Sequence, residues 1–523
     1  MRLIPLALVA AGLAAGTANA APVTFRVDPG ACSAAPVSGR LLVFATALKG
    51  DLPKSVEVSP FDPSAASVAA QEVSSLSPGA AVTIDADVSA YPQAFSALLP
   101  GRYAVQAVLD RDHNYNYGDR GPGDCVSAVA AVDLPASGEA PLLTLGAPLP
   151  TPPLWTPNAR ASAEQKQGYV DARPFIHELA FTSPALSRFW GRPVQVTGWV
   201  VTPPGYSEAS SKRYPVVYET HGFGGSHPGQ LDTGIGVWRE MKAGTSPPMI
   251  WVMLDESSPT GTHEFTDSVN NGPWGQALTA ELIPELERTY RMDARPSGRF
   301  LTGHSSGGWA ALWVQTRYPA LFGGSWPTSP DPSDFHDWTG VDLYAANPNV
   351  YRAPDGSASP LMRMGGKVVA SIEQFSKLEE VLGPTGGQEA SFDWVFSPKG
   401  PDGRPMKLYD RTTGAVDTQV LAYWRDNYDV AFRMKRDWPS VRRDLYGKLH
   451  ITVGTADTFY LDGSARKLEA VMKGLGAKAD FRYVEGRSHF DLYRIDKDNQ
   501  GLRKAIAWEM YAVARPGSKR PAN

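Results

Sequence analysis

Apolar and polar residues follow one another in short alternating runs up to Gly146. The stretches "GRLLVFATAL" (39–48), "AAVTIDADV" (80–88), "GRYAVQAVLD" (101–110) and "AVAAVDLP" (128–135) each read as a strand, with Gly, Pro and Ser between them. No helical period intervenes, so residues 21–146 predict a small all-β sandwich. The Pro-rich stretch "GAPLPTPPLWTPNA" follows and predicts a stiff linker over residues 147–168.

From residue 169 the pattern changes to alternating strands and helices. "VQVTGWVVTPPGY" and "YPVVYETHG" read as strands, and "PMIWVMLDE" is a nearly continuous apolar strand, as expected where both sheet faces are covered. "WGQALTAELIPELERTY" places Leu278, Leu282 and Leu286 on one helical face. "GRFLTG", "LFGGSWPTSP", "KLHITVGTAD" and "ADFRYVEG" supply further strands, and "GSARKLEAVMKGLG" a helix between the last two. This order predicts an open, mostly parallel α/β sheet over residues 169–515. Residues from about 329 to 446 break the pattern. They are long, polar and rich in Trp, Asp and Gly, and a structureless loop of that size does not suit a compact domain, so an inserted, largely helical cap is expected.

Within this frame "LTGHSSGGWAAL" gains meaning. It sets Ser305 between Gly303 and Gly307. In a chain with 50 glycines the G-x-S-x-G pattern alone decides little, but here a strand precedes it and a helix follows. A serine hydroxyl needs a base, a group that orients the base, and N–H donors for the oxyanion. Three histidines follow Ser305. His450 lies inside a strand, and His336 precedes any plausible last strand. His489, in "VEGRSHFDLY", follows one and is the candidate base. Asp457, past the strand "HITVG", is the candidate acid, with a helix N-cap as its structural alternative and Asp331, Asp334 and Asp462 as competitors. The oxyanion donors are expected at the Ser306 N–H and at Phe223 in "HGFGG", with Gly224 as alternate.

Composition narrows the setting. The chain is 42% hydrophobic and 20% charged, with a formal net charge of −4, which gives no general affinity for nucleic acid. Residues 1–20 carry Arg2, a short apolar run and "ANA" at Ala18–Ala20, and read as a cleaved secretory signal. No later stretch is long and apolar enough for a membrane span, so a secreted or periplasmic protein is expected. In an oxidising compartment the two cysteines, Cys32 and Cys125, predict one disulfide. No cofactor and no catalytic metal are implied. "LDRDHNYNYGD" brings Asp110, Asp112, Asn114, Asn116 and Asp119 close together. This could enclose calcium, but the loop lacks the closing Glu of an EF-hand and reads better as a solvated Asx-rich turn. Trp274, Trp309 and Trp326 flank the candidate site and are either substrate platforms or core.

Taken jointly, "VTPPGY…YPVVYETHGFGG", "NNGPWGQALTAELIPELERTY", "RFLTGHSSGGWAALWVQTRYP", "VGTADTFY" and "GRSHF" carry a resemblance. From about Tyr169 to Tyr511 the chain resembles the esterase branch of the α/β-hydrolases that includes esterase D, feruloyl and acetyl xylan esterases, enterochelin esterases and the mycolyltransferases. The resemblance implies a Ser305, Asp457, His489 triad and metal-free cleavage of carboxylic esters through an acyl-enzyme. The substrate expected is a small-molecule or polysaccharide-linked ester. Acyl transfer and peptide hydrolysis would use the same triad, and a non-catalytic binding protein on this fold is a further reading. The long insertion and the N-terminal β-domain depart from the family pattern, and both bear on substrate choice.

Overall fold

The computed structural model describes residues 22–135, 138–518 and 520, so the expected secretory signal lies outside the described residues. The N-terminal part is all-β, as expected. Its strands form one nine-stranded hydrogen-bonded sheet around one core, in which Leu142–Pro148 pairs with Thr24–Asp28 on one side and with Cys125–Ser127 on the other, linking Thr24–Asp28 and Val82–Asp85 to Val37–Ala47, Ser67–Leu76 and Gly101–Asp110. Cys32 and Cys125 are joined in a disulfide, 93 residues apart in sequence. Closing a loop of that length restricts the unfolded chain, and removing the bond from a small β-domain costs about 2–5 kcal/mol. Chemical denaturation of Cys32→Ser, against the untreated protein, should show a loss of that size. Unchanged stability would mean that the bond does not form in solution.

The strand Val37–Ala47 is buried on both faces over seven consecutive residues, Arg40 excepted as a polar member. Its inner side chains Leu41 and Val43 face the sandwich core. The outer ones, Leu42 and Phe44, pack with Leu378, Val381 and Leu382 from the insertion. The second half of the chain therefore covers the sandwich's outer face.

The Pro-rich stretch also lies against the α/β part. The strand Leu142–Pro148 runs past Gly146, and Trp155 packs edge-on against Trp199 at 6.0 Å.

The second part is an eight-stranded sheet built from β1 (Ile176–Thr182), β2 (Gln195–Val201), β3 (Val216–Thr220), β4 (Ile250–Leu254), β5 (Arg299–His304), β6 (Gly324–Thr328), β7 (His450–Gly454) and β8 (Asp480–Val484). The order is β1-β2-β4-β3-β5-β6-β7-β8. β2 is antiparallel to both its neighbours, and every other pair is parallel. This is the α/β-hydrolase arrangement expected. Alternate residues feed two cores, as a strand's period of two requires. Val217, Trp251, Met253 and Phe300 pack under α1 (His227–Lys242) and the C-terminal helix Gly501–Ala514. Tyr218, Ile250, Val252 and Leu301 pack under α2 (Ser306–Arg317) and the Leu278, Leu282, Leu286 stripe. That stripe is not one regular helix. A π-helical turn over Ala277–Leu282 precedes Pro284, whose missing N–H breaks the regular hydrogen-bond ladder.

The insertion carries helices, as expected, together with a hairpin, Pro360–Met364 with Lys367–Ser371. Its helices include α3 (Ile372–Leu382) and α4 (Gln388–Phe396). Its aromatic residues, among them Trp338, Phe392 and Trp424, join the main core of the eight-stranded sheet directly.

Candidate active site

Ligands of open α/β sheets bind beyond the carboxyl ends of the strands. Here that edge carries the loop 221–225 after β3, Ser305 after β5, Asp331 after β6, Asp457 after β7 and His489 after β8.

Ser305 sits between β5 and α2 with φ 60° and ψ −127°, a backbone conformation that non-glycine residues adopt only under constraint. The constraint is visible. Its N–H donates to the Thr328 carbonyl at 3.1 Å, and its own carbonyl accepts from Trp309 N–H at 2.9 Å. The flanking glycines are sterically required. A Cβ on Gly303 would lie 2.2 Å from the Gly307 carbonyl oxygen, and one on Gly307 would lie 2.3 Å from the carbonyl oxygens of Thr220 and His221. Gly222 approaches Ser305 so closely that a Cβ there would meet the Ser305 Cβ at 2.9 Å.

His489 Nδ1–H donates to Asp457 Oδ2 at 2.9 Å, and both residues are buried. Asp457 Oδ1 accepts from the Phe459 and Leu461 amides at 2.9 and 3.4 Å. The cap-like role and the partnership with His489 thus use different oxygens of one carboxylate. Burial alone would raise the Asp457 pKa, but the facing His489 and these hydrogen bonds hold it below the usual carboxylate value. His304 lies against His489 with ring centroids 4.3 Å apart. Burial pushes His304 down to about 3, so it places no charge there at neutral pH.

Of the competing acids, Asp334 bonds to His336 at 2.8 Å and Asp462 pairs with Arg363 at 3.2 Å. Asp331 is different. Its Oδ2 accepts from Ser306 Oγ at 2.7 Å and its Oδ1 from Ser305 Oγ at 3.5 Å, and burial pushes its pKa up to about 6.

The loop "HGFGG" is held from below by its histidine, a role the sequence did not suggest. His221 Nδ1–H donates to the Gly222 carbonyl and Nε2–H to Asp255 Oδ1, each at 2.8 Å. Burial opposes the imidazolium, but the bond to Asp255 and nearby negative charge outweigh it and push His221 up to about 9. Burial also lifts Glu256 to about 8, so at neutral pH Asp255 is the anion that His221 meets. The folded pKa lies above the unfolded value near 6.5, so this pair stabilises the fold fully below about pH 6.5 and is lost as pH rises through about 9. The melting-temperature gap between wild type and His221→Gln should therefore close above pH 9. A gap that is constant from pH 6 to pH 10 would reject the charged clamp. Above this clamp, the Phe223 amide donates to no acceptor among the described residues.

Ser305, His489, Phe223, Gly224 and Asp331 line one cavity of about 590 Å³. Most of the remaining lining is apolar or aromatic, including Trp338, Phe375, Phe392, Phe459 and Leu361, and among the described residues no Lys or Arg contributes. Trp274, Trp309 and Trp326, expected as possible platforms, do not line it. Trp274 stacks on His263 at 3.6 Å, Trp309 on Trp313 at 5.2 Å and Trp326 on His450 at 4.4 Å, all three buried in core. Trp338 supplies the indole wall instead.

The Asx-rich loop divides. Asp110 and Asp112 are joined by Asp124, their nearest oxygens lying within 4.8 Å of one another. Asn114 caps Asp112 at 2.9 Å. Asn116 turns away to the insertion, donating to the Glu379 and Gly383 carbonyls, and Asp119 is not part of the acidic group. No helix among the described residues is long and apolar enough to cross a membrane.

The chain is similar to several known proteins. Two esterases of Mycobacterium tuberculosis strains are each 32% identical over 136 residues, which is 24% of this chain and 28% of theirs. The chain thus spans little more than a quarter of the length of these curated relatives. Among solved structures, a ferulic acid esterase (16% identity, 65% of this chain, 98% of that one, TM-score 0.38) and an S-formylglutathione hydrolase from Agrobacterium tumefaciens (14%, 65%, 94%, TM-score 0.38) are similar. Residues 192–493, more than half of the chain, match the family described as "Putative esterase", and the chain belongs to that family.

Proposed function

We propose that the protein is an exported serine esterase acting through Ser305, His489 and Asp457. The observation that carries this reading is Ser305 on its strained turn, opening into the same cavity as His489, whose imidazole is bonded to buried Asp457. His489 takes the Ser305 proton as the hydroxyl attacks the ester carbonyl, and Asp457 orients the imidazole and stabilises its charged form. The N–H groups of Phe223 and Ser306 receive the oxyanion, with Gly224 as alternate donor, and the N-terminus of α2 favours the negative charge. His489 then protonates the leaving alcohol, and water, activated in the same way, releases the acid. The apolar walls, with Asp331 and Glu389 among the lining and no Lys or Arg among the described lining residues, suit an uncharged bulky acyl group rather than an anionic one. The disulfide suits the oxidising compartment that export implies.

The test is a substrate screen of the purified protein. Acetyl, butyryl and octanoyl 4-nitrophenyl esters, methyl ferulate and matched anilides are compared by kcat/KM. Esters should be turned over, with larger apolar acyl groups preferred over succinyl analogues. Anilides cleaved faster than esters, or no turnover of any substrate, would overturn the reading.

A further inference from the structure

The N-terminal β-domain reaches the cavity. Its outer face packs on α3 through Leu42, Phe44 and Val68 against Leu378, Val381 and Leu382. Two polar clamps fix the register. Arg40, only 8% exposed, donates from Nε and Nη2 to the Val381 carbonyl at 3.0 and 2.7 Å, meeting the unpaired carbonyls at the end of α3. Asn116 Nδ2 donates to the Glu379 and Gly383 carbonyls at 2.9 and 3.1 Å.

So held, the domain sets two aromatic residues at the site. Pro60 and Phe61 line the cavity, and the Phe61 ring packs edge-on against Phe490 at 5.6 Å. Phe490 in turn lies 5.4 Å from the His489 ring. Tyr117 packs edge-on against Phe223 at 4.9 Å, and its carbonyl oxygen lies against Gly224. The Tyr117 hydroxyl is buried, and its ring packs against the loop 222–225.

We propose that the N-terminal β-domain completes the ester site, Phe61 acting as a specificity-determining wall for bulky apolar groups and Tyr117 as a positioning residue for the loop that carries the Phe223 N–H. The proposal rests on the esterase reading of the cavity. Phe61 lies on a loop and is 37% exposed, so truncating it removes cavity wall rather than core. Tyr117 lies within the domain contact, so its ring-preserving variant Tyr117→Phe is measured beside Tyr117→Ala.

The experiment is steady-state kinetics of the full chain on 4-nitrophenyl octanoate and acetate. Phe61→Ala should lower the octanoate-to-acetate ratio of kcat/KM about tenfold, the scale on which a hydrophobic pocket discriminates. Leu99→Ala, an exposed apolar residue of the same domain outside the cavity lining, should leave the ratio unchanged. Tyr117→Ala should lower kcat about tenfold with KM within about twofold, and Tyr117→Phe should restore kcat. An unchanged ratio in Phe61→Ala would overturn the wall. A Tyr117→Ala effect confined to KM, or absent, would overturn the positioning role. If the wild type turns over neither ester, the esterase reading falls and this proposal falls with it.

Discussion

Ser305→Ala should abolish labelling by a fluorophosphonate probe and lower ester turnover by several orders of magnitude. Wild type should carry one label, on Ser305. The proton that leaves Ser305 has one proposed acceptor, His489, and the proposed donors, the N–H groups of Phe223 and Ser306, serve an adduct formed on this oxygen. His489→Ala should do about as much damage, because nucleophile and base act as a unit, and Asp457→Asn somewhat less. The informative comparison is with Asp331, whose carboxylate is the one within reach of Ser305 Oγ. Asp457 faces the His489 ring at 2.9 Å, and Asp331 faces serine hydroxyls instead. Asp331→Asn should therefore cost much less than Asp457→Asn. If the order is reversed, the acid sits after β6. If Ser305→Ala retains wild-type turnover on a substrate the protein cleaves, the whole triad assignment fails.

Gly307→Ala should destabilise the protein by at least about 3 kcal/mol, more than most single substitutions. The new Cβ would stand 2.3 Å from two carbonyl oxygens at the end of β3. Those atoms belong to the backbone of a central strand and its clamped loop, so no side-chain rotation relieves the clash. Relief requires α2 to move away from β3, which also opens the turn at Ser305. Urea denaturation reads the stability, and probe labelling reads the turn. Gly474→Ala is the matched control. It lies at the end of a helix with nothing within 4 Å of its would-be Cβ, and it should stabilise by about 0.5–1 kcal/mol. A Gly307→Ala midpoint indistinguishable from wild type would show that the elbow tolerates slack the structure does not contain.

The contrast between these two glycines explains what was legible in the sequence. The elbow was, because its requirement is local: Gly-x-Ser-x-Gly between an apolar strand and a helix is a covalent neighbourhood with one steric solution. His489 and Asp457, which bond to each other, could be placed by order, because each follows the end of a strand. The tryptophans were not. Trp309 and Trp326 lie near Ser305 in sequence or strand order, but α2 and β6 turn their side chains into the core, while Trp338 reaches the cavity from the insertion. The insertion itself looked polar because its aromatic residues have no regular spacing, although they belong to the main core. His221 looked like part of a glycine turn, and its partner Asp255 lies after a different strand. The N-terminal domain's contact with α3 left one signal: "LLVFATA" is apolar on both alternations, and an outward face that is apolar needs a cover. Phe61, a single aromatic residue between Pro60 and Asp62, left none.

The clamp from Arg40 to Val381 also bears on how the molecule assembles. The two residues are 341 positions apart, and the same domain that makes this contact carries Phe61 into the cavity lining. Loop closure over such a separation grows costlier only slowly with length, but contacts of this kind form late, after the local structure at both ends exists. The sandwich is completed by residues before Pro148, whereas its outer cover comes from residues 372–382. During synthesis the N-terminal domain therefore folds with an uncovered apolar face and waits for most of the chain. Refolding should accordingly show two phases: an early one reporting the sandwich, and a later one in which tertiary fluorescence and ester turnover return together.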